Sequence, residues 1–374
     1  MHTRRSFLRG LGAVGAIGVA GCLGDGSPAS GPSDRPTGAD DTAGSSPGGS
    51  TDTGDGTGSR PPTDDSAVHL GYDIATIDGQ VVSGGVPKDG IPSIDEPAFQ
   101  PAGEAALDEG APVFGLVRGG DARAYPQRIL VHHEIVNDTV GGDPVAVTYC
   151  PLTGTAQGFE RGPVEFGVSG NLVNSNLVMY DRGTDSRWPQ MLATAIDGPL
   201  EGETLREFRV VWTTWGEWRA AYPETAVLTE DTGYTRRYGS DPYGRYNPPG
   251  GYYASDRTLF EPLSRDDRAH PKSVVVGTRT ADGALAFDKD ALLSAGVLTG
   301  TIAGEQYVAV ADEALSTGYV YANPDGVSVE QRADGYRVGG ETAAADALPL
   351  ERSLAFDAMW FAWAGFYPGT GYVD

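Results

Sequence analysis

The sequence predicts a mainly β fold with short helices, an α+β protein made from an internally duplicated β-rich unit with an aromatic- and Gly-rich insertion between the copies. Three observations carry this reading. Residues 113–160 and 275–322 match at a constant offset of 162 positions without a gap: Gly115, Ala122, Ala124, Leu130, Gly142 and Thr155 recur as Gly277, Ala284, Ala286, Leu292, Gly304 and Thr317. Glycine-containing turns introduce runs such as Val145-Ala146-Val147-Thr148-Tyr149, whose β-branched and aromatic residues are those of strands. The helical stretches inside each copy are short, Gln127 to His133 and Lys289 to Ala295.

At the N-terminus, Arg4-Arg5-Ser6-Phe7-Leu8 is a twin-arginine pattern, and Val19-Ala20-Gly21-Cys22 has the form of a lipobox. Residues 1–21 are therefore expected to be an export signal and Cys22 a lipidation site. The protein is then extracytoplasmic and anchored by lipid to the outer face of the cell membrane, its expected partner. The apolar run between these motifs is too short and too Gly-rich to span a bilayer. Residues 22–66 are Gly, Ser, Thr, Asp and Pro with almost no large apolar side chain, which reads as a disordered tether. Residues 67–374 form the globular region, long enough for one large domain or two packed halves.

In copy one, Pro112 to Val117 and Ala122 to Tyr125 read as a hairpin, matched by Val274 to Arg279 and Ala284 to Phe287. The short helix follows, then strands ending in the run to Tyr149, then a closing strand near Thr155 to Phe159. Pro151 cannot donate to a ladder, so the chain leaves the sheet after Cys150 and holds its thiol at a strand end. Asn137-Asp138-Thr139 is a glycosylation sequon placed in a turn. In the insertion, Trp212 to Arg219 begins as strand and turns helical at Thr214, where Thr214 and Glu217 form a capping box; Trp215 and Trp218 share a face, and Tyr222-Pro223 ends the helix. Residues 234–253, rich in Tyr, Gly and Pro, read as an ordered loop, either stapled by its own aromatics or a stacking platform for a ligand. Met359 to Phe366 is apolar on nearly every face and reads as a buried helix between the halves.

Charge bears on solvent and partners. The chain has 51 acidic against 27 basic residues, a formal charge of -24, and its lysines are Lys88, Lys272 and Lys289. Such a surface resembles proteins of extreme halophiles, where salt screens the self-repulsion. It lacks the basic track that a phosphate backbone needs, which excludes nucleic acid as a partner.

The copies differ chemically at one place. His132, His133, Glu134 and Cys150 of copy one face Ser294, Ala295, Gly296 and Asp312 in copy two, so an active centre belongs to copy one. With Cys22 lipidated, Cys150 is a lone thiol in an oxidising compartment, either buried as a small hydrophobe or useful. Adjacent histidines on a helix point about 100 degrees apart, so one of them is expected to meet Cys150; His133 is chosen, because His132 follows Ile129 at a spacing that suits the packed face. His133, Glu134 and Cys150 together would suit copper or zinc as metal ligands, or, as catalytic residues, a thiolate nucleophile with an imidazole base in a hydrolase. A second reading is a polar-ligand, carbohydrate-like binding module that uses Asn171, Asn174, Asp181 and Arg182; the same amides can instead knit loops together.

Thr148-Tyr149-Cys150-Pro151-Leu152-Thr153-Gly154-Thr155, Val168 to Asn171 and Asn176 to Arg182 resemble an uncharacterised family of exported bacterial and archaeal proteins, the domain of unknown function numbered three thousand one hundred and seventy-nine. The resemblance takes in His133 to Asp138, the Trp218 and Pro223 region, and Trp360 to Trp363 with Tyr367-Pro368, nearly everything from about residue 90 onward. It implies no particular reaction. It includes His133 and Glu134 and leaves out His132. It also implies a second cysteine three places after the first, where this chain has Thr153, so any thiolate centre here would hold a single thiolate.

Overall fold

The computed structural model describes residues 59–374. The expected export signal and Cys22 lie outside the described residues. Within the expected tether, Thr63 and Asp64 already pair with Leu205 and Thr204 as a short antiparallel ladder. Strands dominate and the helices are short, none of them long and apolar enough to cross a membrane among the described residues.

The hairpin Pro112–Arg118 and Asp121–Pro126 sits inside a sheet that also takes in strands Val211–Thr214, Ala226–Leu228 and Phe99–Pro101. After helix Gln127–Leu130 comes an antiparallel meander, Ile135–Val140, Asp143–Cys150 and Thr155–Glu160. Every residue from Val145 to Cys150 is buried, because this middle strand is covered on both faces. Val145, Val147 and Tyr149 pack with Phe114, Tyr125 and Leu130 against the hairpin sheet. Ala146 and Cys150 point the other way, into a cluster with Phe166, Leu177 and Trp188 from the strands that follow. The period of two therefore sorts these residues between two cores, which makes Asp143–Cys150 the central layer of a three-layer half.

From Val274 the chain repeats this order of elements: hairpin Val274–Arg279 and Ala284–Asp288, helix Lys289–Ala295, then Val297–Ile302, Glu305–Asp312 and Thr317–Ala322. One further arrangement occurs in both halves. Strand Val211–Thr214 pairs antiparallel with Pro112–Arg118 and leads into helix Trp215–Ala221, which the Thr214 and Glu217 capping box opens. Strand Ala355–Met359 pairs with Val274–Arg279 in the same way and leads into helix Trp360–Phe366. Trp218 of the first helix lies on Gly115, its Nε1 donating to Thr225 Oγ1 at 3.0 Å, with the tilted Tyr222 ring 4.3 Å away. Trp363 of the second lies on Gly277 and donates to Thr370 Oγ1 at 3.1 Å, with Tyr367 at 4.6 Å. After each helix a short strand returns parallel to the hairpin, Ala226–Leu228 on Asp121–Pro126 and Gly371–Val373 on Ala284–Asp288.

The helix at Trp360–Phe366 is buried along its whole length, as its apolar circumference requires. Asn174 of the first half donates to its Ala362 carbonyl at 2.7 Å. A buried pair, Arg279 with Glu207 at 2.9 Å, also joins the halves. The sequon is placed differently from its expectation. Asn137 lies in strand Ile135–Val140, 1 % exposed, with its amide spent on Asp95 and on the Phe166 backbone. A buried amide with both ends occupied is no acceptor for a glycan.

A Cβ on Gly115 would sit 2.2 Å from the Trp218 ring, and one on Gly277 would sit 2.3 Å from Trp363. Gly115→Ala and Gly277→Ala are each expected to destabilise the protein by ~1–3 kcal/mol, the usual cost of overpacking. Gly79→Ala, where a Cβ meets nothing within 4 Å, serves as control and should leave the denaturant midpoint in place.

Candidate functional site

Helix Gln127–Leu130 ends in a tight turn whose N–H groups return to the helix carbonyls, His133 and Glu134 both to Leu130, at 3.1 and 2.7 Å. The bond from Glu134 is that of a left-handed helix cap, and Glu134 has φ 61. The corresponding residue of the second half is Gly296, φ 78, with its N–H on Leu292 at 2.8 Å. Glycine occupies this conformation freely, whereas a side chain costs roughly 1–2 kcal/mol there. One backbone thus recurs with two residues, and the first half carries the strained one.

Glu134 opens onto a cavity of about 320 Å³ whose walls include Ile91, Leu152, Val168, Leu177 and Phe260, with Asn171 and Tyr243 as its other polar side chains. Glu134 is 6 % exposed, and its carboxyl has no hydrogen-bonding partner or cation beside it among the described residues. Burial alone pushes its pKa up to about 8, so it is mostly uncharged at neutral pH and can donate a hydrogen bond.

Cys150 ends its strand as expected, 1 % exposed, packed with Leu152, Val168 and Leu177, which line the cavity. Its thiol faces the Ser175 carbonyl at 3.6 Å. Burial, with the Glu134 charge second, raises the thiol to about 11, so it stays protonated. Thr153 accepts a hydrogen bond from Asn176 at 3.1 Å and is fully buried.

His133 is the buried member of the histidine pair and His132 the half-buried one, the reverse of the helical reading, because the helix stops at Leu130. The His133 ring is held by groups other than the thiol. Nδ1 donates to the Pro92 carbonyl at 2.8 Å, which leaves Nε2 to accept from the Tyr238 hydroxyl at 2.7 Å. Burial holds His133 down at about 4. Both ring nitrogens are thus occupied, and among the described residues no group of three or more His, Cys, Asp or Glu side chains is arranged to hold a metal ion. His133, Glu134 and Cys150 do not fit copper or zinc.

Of the four residues proposed for a polar ligand, Asn171 lines the Glu134 cavity. The others knit loops. Asn174 bonds Ala362 and Leu263, and Asp181 takes Thr184 and the Trp188 indole. Arg182 pairs with Asp95 at 2.7 Å and Glu165 at 2.8 Å.

A model of the family described as protein of unknown function, DUF3179, matches residues 88–370. The chain belongs to this family. No curated protein and no solved structure matches it. Cys150, Glu134 and all of the cavity lining except Gly84 and Val86 fall within the DUF3179 region.

Tyr243 and Lys272 escaped sequence reasoning. Tyr243 comes from the aromatic loop and closes one side of the cavity. Lys272 is 6 % exposed, its Nζ lacks a hydrogen-bond acceptor, and it lies 3.3 Å over the Tyr252 ring and 4.5 Å from that of Phe361. Burial lowers it to about 7. In a chain with three lysines, one in an aromatic interior was a readable signal.

These shifts give opposite pH dependences. Folded Glu134 holds its proton more tightly than the unfolded chain between about 4.5 and 8, so its contribution is present at low pH and lost as pH rises through that window. Folded Lys272 holds its proton less tightly, so stability rises with pH between about 7 and 10.5. Glu134→Gly should flatten the first slope and raise stability at pH 8 by roughly 1–3 kcal/mol, from relief of backbone strain and of the buried acid. Lys272→Met should flatten the second. Denaturation midpoints measured from pH 4 to 10 check both.

Proposed function

We propose that the protein binds a small, uncharged and largely apolar molecule with a carbonyl or similar acceptor in the cavity over Glu134, and that the protonated Glu134 carboxyl donates a hydrogen bond to that acceptor. The observation that carries this reading is the strained left-handed position, filled by glycine in one half and by an unpartnered, buried glutamic acid in the other. Strain and a displaced pKa in a cavity are the marks of acid–base work. The apolar walls favour this ligand over a carbohydrate, which presents hydroxyls all round and would find two further polar side chains, Asn171 and Tyr243.

A thiolate metal centre or a cysteine-nucleophile hydrolase has less support, since the thiol is raised to about 11 and His133 is spent on Pro92 and Tyr238. The matched order of elements and the two Trp-on-Gly contacts support descent of the halves from one duplicated unit. The twin-arginine pattern and Cys22 support export and lipid anchoring at the outer membrane face, and the acidic surface supports a high-salt medium.

Cyclohexanone and benzamide, as neutral acceptors, should raise the melting temperature of the full chain by a few degrees at millimolar concentration. The gain should vanish in Glu134→Ala and shrink above pH 8, where the carboxylate no longer donates. A gain with glucose instead, or one indifferent to Glu134, would sink the proposal. Native Cys150 should also resist iodoacetamide near neutral pH; rapid labelling would restore the nucleophile reading.

A further inference from the structure

A second cleft, of about 510 Å³, lies between the halves and shares no wall residue with the Glu134 cavity. Leu116, Trp218 and Tyr222 form one side, and Tyr319 with the Asp346–Leu354 segment forms the other. Two guanidinium groups stack on the Tyr319 ring, Arg209 at 5.0 Å and Arg352 at 4.4 Å from its centroid. Stacking uses the flat face of a guanidinium and leaves its in-plane N–H donors free.

Those donors are only partly spent. Arg209, with its side chain 9 % exposed, donates to Ala355 O at 2.5 Å and Thr317 Oγ1 at 2.7 Å, and its buried Nε has no acceptor. Arg352 reaches the Asp346 backbone carbonyl at 3.4 Å and makes no ion pair with a carboxylate among the described residues. The Asp346 side chain lines the same cleft. The cleft thus holds free charges of both signs beside aromatic surface.

We infer that this cleft binds a free α-amino acid with an apolar side chain. Its carboxylate sits on the in-plane donors of Arg352, its ammonium faces Asp346, and its side chain lies against Val117 and Tyr222. A guanidinium matches a carboxylate geometrically, and a pair of charge-assisted bonds fixes orientation as well as affinity. A simple anion fits less well. It would meet the Asp346 carboxylate and the field of a chain with net charge -24, whereas a zwitterion carries no net charge into that field.

Calorimetric titration of the full chain with L-phenylalanine and L-leucine tests this against two truncated probes, 3-phenylpropionate without the ammonium and phenethylamine without the carboxylate. Both amino acids should bind. Each truncated probe should bind at least tenfold more weakly than phenylalanine, and Arg352→Ala and Asp346→Asn, exposed positions that should leave the fold intact by circular dichroism, should each lose at least tenfold. Glu134→Gln should leave the titration unchanged, which separates this cleft from the proposed Glu134 site. Absence of binding by either amino acid, equal binding of 3-phenylpropionate, or wild-type affinity in Arg352→Ala would each overturn the assignment.

Discussion

The contact on which the architecture rests is an indole laid flat on a glycine. Trp218 on Gly115 and Trp363 on Gly277 each fix a helix against the middle of a hairpin strand. That contact sets where the returning parallel strand begins, because the Trp Nε1 bonds a threonine just before it. Only a residue without Cβ lets the ring approach so closely, so two glycines and two tryptophans specify the same packing twice. The remaining layers follow, since a hairpin held on one face must bury its other face on the meander.

On this repeated frame the chemistry is asymmetric. A helix cap with φ above zero is a natural place for glycine, and the second half has Gly296 there. The first half spends roughly 1–2 kcal/mol of backbone strain to put Glu134 at the same point. It then leaves the carboxyl without a partner, facing an apolar cavity. Lys272 and Cys150 add two more polar groups to apolar surroundings nearby. Glu134 and Lys272 do not stabilise the fold, as unpaired polar groups cost free energy when buried, whereas the Cys150 thiol faces the Ser175 carbonyl. Their cost is borne by the surrounding cores, which are apolar and closely packed on both faces of strand Asp143–Cys150.

Between the halves the charge is handled differently. Arg279 and Glu207 are both deeply buried and answer each other directly. Arg209 is held by Ala355 and Thr317, with Asp357 3.8 Å away. Lining the outer cleft, Arg352 stacks on Tyr319 and reaches the Asp346 backbone carbonyl, and neither it nor the Asp346 side chain has an ion-pair partner among the described residues.

Much of the fold was legible in the sequence. The β-rich class, the hairpins, the Thr214 capping box, the buried helix at 360–366 and the strand-terminal Cys150 are local patterns, and local patterns are set by backbone sterics and by which face a residue must hide. Comparison of the copies also singled out Glu134. What the sequence did not determine is where side chains three-dimensionally end. His133 turns to Pro92 and Tyr238, residues 41 and 105 positions away, so no spacing near the helix foretold it. Asn174 and Arg182 became structural because distant segments brought them Ala362, Leu263 and Asp95, whereas Asp181 is held by its near neighbours Thr184 and Trp188. Tyr243 and Phe260 joined Glu134 around one cavity by the path of a long loop, and Lys272 reached the Tyr252 and Phe361 rings in the same manner. Local sequence governs which element forms, but burial and partnership depend on chain segments far apart, and only their packing decides which polar group is satisfied and which is left free to act.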